Sequence, residues 1–397
     1  MFDHVEKFPG DPILSLVEAF NADSRQEKVN LSIGIYYDNA GSVPTLQSVI
    51  EAERSLQERA LTSPSYLPME GMAEFRSAVQ RLLLGDDSGD AERARLATIQ
   101  TLGGSGALKV GADFLHRYFP TSTVYVSDYT WDNHVGIFQG AGFAVGRYRY
   151  FDTHSKGVDF DGMLSDLSAM HERSIVVLHP CCHNPTGADL TPSQWDKLIT
   201  VVLERNLIPF LDMAYQGFGD GIDDDAYAIR AFARAGIKFF LSNSFSKIFS
   251  LYNERIGALS VVCADEDEAV RVLGQLKSTV RTNYSSPPAT GARLVSAVLL
   301  DEGRNRAWRE EVNQMHGRIK GMRQALRSAI ETRKPDADVA YLTSQRGMFS
   351  FTGLSTEQVN VLRADWGVYL VGNGRLCVAG LTERNAPRVA EALVGVL

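Results

Sequence analysis

A lysine that follows an apolar run is the first residue of this sequence whose setting suggests chemistry. Residues 237–241 are apolar except for Lys238, and the stretch Ser-Asn-Ser-Phe-Ser-Lys follows at residues 242–247, with Arg255 eight positions beyond Lys247. This pattern predicts a buried strand that ends in a polar turn. Burial disfavours an ammonium ion, lowers its pKa and frees the amine for Schiff-base chemistry. Taken alone, the pattern also fits a surface lysine in a serine-rich loop.

Two further polar residues follow apolar runs in the same way. Asn184 comes shortly after the run 174–179, and Asp212 ends the run 207–212, with a predicted crossover helix at 190–204 between them. Strands that alternate with helices predict a parallel sheet, and ligands of such sheets bind at the carboxyl ends of the strands. We therefore expect Asn184, Asp212 and Lys247 at one sheet edge.

A glycine-rich turn joins a predicted strand to a predicted helix. Residues 97–101 read as the strand, 102–107 as Leu-Gly-Gly-Ser-Gly-Ala, and 108–119 as the helix. This arrangement presents free backbone N–H groups and the positive end of a helix dipole to an anion. It matches neither the Walker A nor the dinucleotide-binding pattern, so a phosphate site and a plain tight turn both remain open.

Composition places the chain among globular proteins. It has 397 residues, 44% of them hydrophobic and 22% charged, with a net charge of −8 and no basic block. The length predicts two domains or one large α/β domain with appendages, and the charge argues against nucleic-acid binding. The first residues lack an apolar leader, so we expect a cytoplasmic protein. No proline interrupts 291–330, which predicts one long helix with the domain change in its C-terminal half.

Cysteine spacing gives no sign of a disulfide framework or a metal centre. The four cysteines are Cys181, Cys182, Cys263 and Cys377, and no C-x-x-C motif occurs. Adjacent cysteines do not easily pair with each other. We therefore expect reduced thiols and no metal site.

Four motifs in order make the chain resemble a known family. They are Ser-Phe-Ser-Lys at 244–247 with Arg255, His-Asn-Pro-Thr-Gly at 183–187, Asp-Met-Ala-Tyr-Gln-Gly-Phe at 212–218 and Gly-Arg-Leu-Cys-Val-Ala-Gly at 374–380. They are similar to those of the fold-type-I aminotransferases that depend on pyridoxal 5′-phosphate, in the aspartate/aromatic subfamily, and the likeness runs from Gly10 to the last helix.

The resemblance implies an α/β fold with two domains. A large domain at 46–315 would hold the cofactor on a mostly parallel sheet sandwiched by helices. Residues 15–45 and 316–397 would form a smaller α+β domain, and 1–14 an arm that reaches the partner subunit of a homodimer.

The resemblance also implies how the cofactor is held. Lys247 would carry pyridoxal phosphate covalently, as an aldimine, and then move the substrate proton. Asp212 would pair with the protonated ring nitrogen, Asn184 and Tyr215 would bond the ring oxygen, and Trp131 would stack on the ring. The implied phosphate ligands are Gly103, Gly104, Ser105, Ser244, Arg255 and Tyr66 of the partner subunit.

Substrate binding is implied in the same way. Arg375 would bind the α-carboxylate. Its planar guanidinium can donate two hydrogen bonds side by side, which lysine cannot do. Trp131 and Asn184 would contact the substrate, and Gly34 lies in a segment expected to close over it. Arg281 of the partner subunit would bind the distal carboxylate of a dicarboxylic substrate.

Three positions favour aromatic substrates. Aspartate-type members tend to carry Lys, Thr and Asn where this chain has Tyr37, Ser105 and Ser286, and Tyr37 replaces a charge by apolar surface. We expect ping-pong transamination of tyrosine and phenylalanine with 2-oxoglutarate, with aspartate also accepted through Arg281. The alternatives are an aspartate-preferring aminotransferase, a fold-type-I lyase or decarboxylase, and a non-catalytic ligand-sensing module.

One position departs from the family pattern. The family usually has proline where this chain has Tyr129, so the Asp128–Tyr129 peptide must be cis or the loop before Trp131 must relax. His134 and His179 are expected only to support the site or fill the core.

Overall fold

A seven-stranded sheet forms the centre of the molecule. The computed structural model describes residues 1–8, 10–58, 65–85 and 88–397. The strands of the described residues, in the central sheet and outside it, are β1 Val29–Asn30, β2 Leu96–Leu102, β3 Val124–Ser127, β4 Val145–Tyr148, β5 Phe151–Asp152, β6 Gly157–Val158, β7 Ile175–Leu178, β8 Ile208–Met213, β9 Phe239–Ser244, β10 Ile256–Val262, β11 Phe349–Phe351, β12 Val368–Tyr369 and β13 Arg375–Cys377.

Helices account for most of the remaining regular structure. They are α1 Pro12–Ala22, α2 Gln47–Gln57, α3 Ala73–Leu84, α4 Asp90–Ala94, α5 Gly103–Tyr118, α6 Asp132–Gly140, α7 Phe160–Ala169, α8 Pro192–Glu204, α9 Tyr227–Arg234, α10 Glu266–Asn283, α11 Thr290–Leu299, α12 Glu302–Arg333, α13 Tyr341–Ser344, α14 Thr356–Val361 and α15 Ala386–Val394. None of the helices within the described residues is long and apolar enough to cross a membrane.

One strand of the central sheet runs against the others. The order is β2-β10-β9-β8-β7-β3-β4, and β10 pairs antiparallel with both of its neighbours, whereas the remaining pairs are parallel. The start of β10 therefore lies at the same edge as the carboxyl ends of the other strands. Arg255, directly before β10, thereby reaches the edge where Lys247 follows β9.

The sheet separates two hydrophobic clusters. Along β8 and β9, Phe210 and Phe240 belong to one cluster, and their neighbours Leu211 and Leu241 belong to the other. This alternation follows from the period of two in a strand. Burying a side chain of this size stabilises the fold by about 1.5–3 kcal/mol, so both faces hold the sheet edge rigidly.

The helical tract after α10 is broken. The prediction of one helix over 291–330 is wrong, because α11 ends at Leu299 and α12 begins at Glu302. The side chain of Asp301 accepts from the N–H of Arg304 at 2.9 Å and so caps the start of α12. An N-cap satisfies a helix donor that has no partner within the helix.

Small sheets and one long helix join the two ends of the chain. β1 pairs with β12, β11 pairs with β13, and α15 packs against α12. In these pairings Phe351 lies opposite Arg375.

Within the predicted arm 1–14, residue 9 lies outside the described residues, and α1 begins at Pro12 because Asp11 accepts from the N–H groups of Ile13 and Leu14.

Candidate active site

The predicted residues lie at one edge of the central sheet. Asp212 is the penultimate residue of β8, opposite Ser242 of β9, and Lys247 follows the end of β9. Asn184 lies in the loop after β7, where the Asn184–Pro185 peptide is cis. The structure thus places Asn184, Asp212 and Lys247 as the order of strands and turns predicted.

A buried hydrogen-bonded chain fixes Asp212. His134 Nε2 lies 2.9 Å from Asp212 Oδ2, and Thr130 Oγ1 lies 2.8 Å from His134 Nδ1. Burial by itself raises the pKa of Asp212, but the hydrogen bond and charge of His134 outweigh burial and lower it. Asp212 is therefore an ionised carboxylate, and His134 Nε2 donates to it. His134 supports the site, one of the two roles expected for it.

A second histidine, next to His134, has no hydrogen-bond partner among the described residues. Both ring nitrogens of His179 are buried and form no hydrogen bond within the described residues. Burial lowers the pKa of His179 to about 3, so its ring is neutral. The ring lies 5.1 Å from that of His134 and adds a flat apolar surface beside Asp212.

Lys247 has the environment of a nucleophilic amine. Burial is the main cause that lowers the pKa of Lys247 to about 8; Asp212 opposes this shift, and Arg255 and Arg375 add to it. Within the part of the chain that the structure describes, its Nζ forms no hydrogen bond and lies 4.9 Å from the ring centre of Tyr215. A neutral amine with no bonded partner can attack a carbonyl carbon.

An anion cradle forms where β2 meets α5. α5 begins at Gly103, whose φ is +68°, and a Cβ there would lie 2.8 Å from Arg255 Nη2. A Cβ on Gly104 would lie 3.2 Å from the Cβ of Ser244. Only glycine lets the helix start approach Arg255 and Ser244 so closely. Ser105 lies in the same first turn, so N–H groups, a hydroxyl and a guanidinium converge, which suits a phosphate.

A cavity of about 280 Å³ opens beside Arg375 and is also lined by Trp131, Asn184, Asp11 and Asp132. The Nη1 and Nη2 groups of Arg375 donate to Asn184 Oδ1 at 3.2 Å and to the carbonyl oxygen of Ser32 at 2.6 Å. Its Nε is buried and has no partner among the described residues. A guanidinium with a spare buried donor is a ready site for a carboxylate.

Phe349 packs against Arg375 and Tyr215, a contact that sequence reasoning missed. The guanidinium carbon of Arg375 lies 4.4 Å from its ring centre, and the ring of Tyr215 lies 5.7 Å away, edge-on. A Cβ on Gly34 would come within 2.8 Å of Phe349 Cζ. Gly34 is therefore a point of close approach, one of the two readings that its sequence context left open. The stretch Phe-Ser-Phe by itself carries no signal that distinguishes Phe349 from an ordinary core residue.

Two of the predicted residues, Tyr66 and Arg281, are expected to act in the site of a partner chain. Tyr66 is 95% exposed, and Arg281, exposed at the end of α10, donates to Ser285 Oγ at 2.6 Å. Neither residue is among those that line the cavity beside Arg375. Their expected places in the partner's site stay predictions.

The loop before Trp131 has relaxed at Tyr129. The Asp128–Tyr129 peptide is trans, and the Tyr129 N–H donates to Asp128 Oδ1 at 2.8 Å. The ring of Tyr129 packs edge-on against Phe351, with ring centres 4.9 Å apart. Of the two expected solutions, the chain adopts the trans one, and Trp131 still lines the Arg375 cavity.

Comparison with known proteins shows full-length relatives. The family model described as aminotransferase class I and II matches residues 26–393. Over the whole of both chains, the sequence is 57% identical to the aromatic-amino-acid aminotransferase of Escherichia coli K12 and 48% identical to an aspartate aminotransferase of Pseudomonas aeruginosa.

A solved structure is similar in fold along the whole chain. It is an aromatic-amino-acid aminotransferase from Burkholderia pseudomallei covalently bound to pyridoxal phosphate, with a TM-score of 0.97 and 49% identity, covering 100% of this chain and 99% of that one. The α/β fold class predicted from the sequence is thereby confirmed.

Proposed function

The chain belongs to the class I and II aminotransferases, and we propose that it transfers the amino groups of tyrosine and phenylalanine to 2-oxoglutarate. Identity is higher to the aromatic-amino-acid enzyme, at 57%, than to the aspartate enzyme, at 48%. As a member of this family it is a pyridoxal-phosphate-dependent enzyme. The observation that carries the proposal is the half-buried, desolvated amine of Lys247, which has no hydrogen-bond partner among the described residues and interacts electrostatically with the carboxylate of Asp212.

The residues at the sheet edge fit pyridoxal phosphate. The cofactor needs an amine for its aldehyde, a carboxylate for its ring nitrogen and an anion site for its phosphate. Lys247, Asp212 and the cradle at the start of α5 supply these three at one edge of the sheet. The side-chain oxygen of Asn243 and both nitrogens of His179 are buried without partners among the described residues, as expected for a site built around a further group.

The chain's own residues divide the chemistry between them. When bound, pyridoxal phosphate supplies the electron sink that makes the Cα–H bond of an amino acid breakable. Asp212 keeps a negative charge where a protonated ring nitrogen is to be held, and His134 keeps Asp212 in place. Lys247 Nζ then takes and returns the proton at the substrate Cα, which a neutral amine with a pKa of about 8 can do near neutral pH.

Arg375 orients the substrate. Its guanidinium is fixed by Asn184 and Ser32, and its buried Nε has a free donor for the α-carboxylate. Trp131, which lines the cavity, supplies a flat apolar wall on which an aromatic side chain can pack, and Phe349 packs against the Arg375 guanidinium. Tyr37, half-buried, leaves this region without the lysine expected in aspartate-type members.

The two chains of a homodimer would share each site. Tyr66 is 95% exposed, and the apolar residues Phe2, Val5 and Phe8 of the N-terminal arm are 74%, 62% and 76% exposed. Large apolar side chains exposed together favour a protein interface. A partner covering them would bring its own Tyr66 to the phosphate and its Arg281 to the distal carboxylate of aspartate or 2-oxoglutarate.

The smaller domain would comprise residues 15–45 and 316–397, and the larger one 46–315. Support comes from β1 pairing with β12 and from the hydrogen bond between Arg375 and Ser32, which join these two stretches of the chain. Closure of this unit would exclude water from the Arg375 cavity. The protein is expected to act in the cytoplasm.

Absorption spectroscopy tests the proposed function directly. The purified protein should show the visible band of covalently bound pyridoxal phosphate, which should bleach with tyrosine alone and return with 2-oxoglutarate. Lys247→Ala, a matched control at one side chain, should stay folded and show neither the bleaching nor turnover. A band that ignores tyrosine but bleaches with aspartate would instead assign an aspartate-preferring enzyme. Repeated turnover without any acceptor, giving more than one product molecule per site, would assign a lyase or decarboxylase.

A further inference from the structure

Two cysteines and a carboxylate meet behind the loops that present Asn184 and Tyr215. Cys181, Cys182 and Asp225 are 4%, 2% and 5% exposed. The sulfur atoms of both cysteines and one carboxylate oxygen of Asp225 all lie within 4.8 Å of one another. Cysteine spacing predicted no metal site, because Asp225 is distant along the chain. The fold brings it to the sulfur atoms.

The carboxylate of Asp225 is held rigidly and lacks a cation. It accepts hydrogen bonds from the N–H groups of Gly217 and Gly219 at 2.7 and 2.9 Å and of Asp220 at 2.8 Å. Among the described residues no lysine, arginine or histidine forms an ion pair with it. The three N–H groups offset only part of the carboxylate's charge, so a cation placed between Asp225 and the two sulfur atoms would be bound favourably.

The donor atoms indicate which cation fits. Two cysteine sulfurs and one carboxylate oxygen suit zinc, which takes three protein ligands and leaves a fourth position open. Cys181 Sγ also lies 3.3 Å from the thioether sulfur of Met213, so the surroundings are rich in sulfur. Calcium and magnesium prefer oxygen ligands alone.

An acidic cavity gives access to this cluster. The cavity measures about 600 Å³, and its lining residues include Cys181, Asp225, Asp189 and Asp224. Three arginines line it against five aspartates, and of these Arg346 pairs with Asp220 and Arg230 with Asp223, which leaves Arg234 against three carboxylates. The remaining carboxylates give the cavity a negative potential that concentrates cations.

We propose that Cys181, Cys182 and Asp225 form a zinc site that inhibits the enzyme. On binding, each thiol loses its proton to water in the cavity, and the ion is held by two thiolates and one carboxylate, with water in the fourth position. Cys182 lies two residues before Asn184, and its Sγ lies 3.7 Å from the carbonyl oxygen of Tyr215. Drawing the ligands together would shift both loops, and this inhibition rests on the proposed function.

Cadmium is the probe of the site, because its thiolate complexes absorb in the ultraviolet. Cd²⁺ titrated into the cofactor-loaded protein should give a charge-transfer band that saturates at one ion per chain, and Zn²⁺ should displace it. Cys181→Ser and Cys182→Ser should each weaken binding by about a hundredfold or more. Cys263→Ser is the matched control, since Cys263 follows the carboxyl end of the reversed strand β10 and lies at the opposite sheet edge. It should leave the titration unchanged.

Activity and absorption are read separately in this experiment. Saturating Zn²⁺ should lower tyrosine transamination in the wild type and in Cys263→Ser but not in Cys181→Ser. A band that survives in both Cys181→Ser and Cys182→Ser, or no band in the wild type, would overturn the site. Binding that follows the cysteines without any loss of turnover would overturn its inhibitory role. Because the band needs no turnover, failure of the proposed function would not be mistaken for failure of the site.

Discussion

At the scale of single residues, burial makes the amine of Lys247 usable near neutral pH. Its pKa falls from 10.5 to about 8, so the neutral fraction of the amine grows as pH rises through 8. Only the neutral amine attacks an aldehyde. In protein stripped of cofactor, the rate of pyridoxal phosphate capture should rise from pH 6 to about 8 and level off above that value. Stopped-flow absorbance measures this rate.

The control for this prediction is Lys247→Arg, which keeps a cation but has no amine that forms a Schiff base. It should bind the cofactor without covalent capture at any pH. A wild-type rate that keeps climbing towards pH 10.5, the ordinary value for lysine, would show that the amine is not desolvated as the structure indicates.

Arg281 and Arg375, the two arginines proposed to bind substrate carboxylates, should respond differently to mutation. Arg281→Ala should lower kcat/KM for aspartate by about thirtyfold or more, since removing one partner of a charged hydrogen-bonded pair costs about 2–5 kcal/mol. Its kcat/KM for tyrosine should change little, because tyrosine has no distal carboxylate. Steady-state kinetics with both amino donors measures the difference.

Arg375→Lys serves as the comparison for Arg281→Ala. It keeps the charge but loses the planar fork, so kcat/KM should fall about tenfold or more for both donors alike. Equal losses for tyrosine and aspartate in Arg281→Ala would mean that Arg281 is not the ligand of the distal carboxylate.

Some of these residues could be found from the sequence and others could not. Asn184, Asp212 and Lys247 each follow an apolar run, and strand ends in a parallel sheet share an edge. His134 was expected only to support the site or fill the core, because its bond to Asp212 joins residues 78 positions apart and has no local pattern. Ser32 went unnoticed because it contributes a backbone carbonyl, which every residue has.

At the scale of elements, the contact between α5 and β8 sets how closely the anion cradle approaches the sheet. A Cβ on Gly111 of α5 would lie 2.6 Å from Cζ of the fully buried Phe210. Gly111→Ala should therefore lower the free energy of unfolding by about 1–3 kcal/mol, since overpacking outweighs the gain in helix propensity. Urea denaturation followed by circular dichroism measures this change.

The matched control is Gly321→Ala in α12, where no described atom beyond the neighbouring helix backbone lies within 4 Å of the added Cβ. There, helix propensity alone applies and should raise stability by up to about 1 kcal/mol. Stabilisation by both substitutions would mean that α5 does not pack on Phe210 as closely as the structure shows.

Sequence patterns predicted where strands and helices lie better than the direction in which a strand runs or the residue at which a helix ends. Residues 256–262 are uniformly buried, as an interior strand should be, but a run of apolar residues does not say which way the strand points. The reversal of β10 follows from tertiary packing. The break at Asp301 had a local signal, since aspartate favours N-caps, but the absence of proline outweighed it in the prediction.

At the scale of the whole molecule, sharing of sites between chains can be tested by mixing two variants that are each defective in aspartate turnover. If Lys247 of one chain works with Arg281 of its partner, a mixed dimer of Lys247→Ala and Arg281→Ala holds one intact site and one doubly defective site. After subunit exchange at equal amounts, aspartate turnover should recover to about one quarter of wild type, because half of the dimers are mixed.

Each variant measured alone is the control for this mixture. If both residues came from the same chain, every site in a mixed dimer would carry one defect. Mixing would then give no aspartate turnover beyond the average of the two variants, and the shared site would be refuted.

The hydrogen bonds from Arg375 to Asn184 and Ser32 also determine when the site can be completed during translation. Arg375 lies 343 positions after Ser32 and 191 after Asn184. A ribosome adds residues from the N-terminus, so every residue that we assign to the cofactor, up to Arg255, is made well before Arg375. The nascent chain therefore holds every residue assigned to the cofactor before it gains Arg375, which completes the set of residues assigned to the substrate.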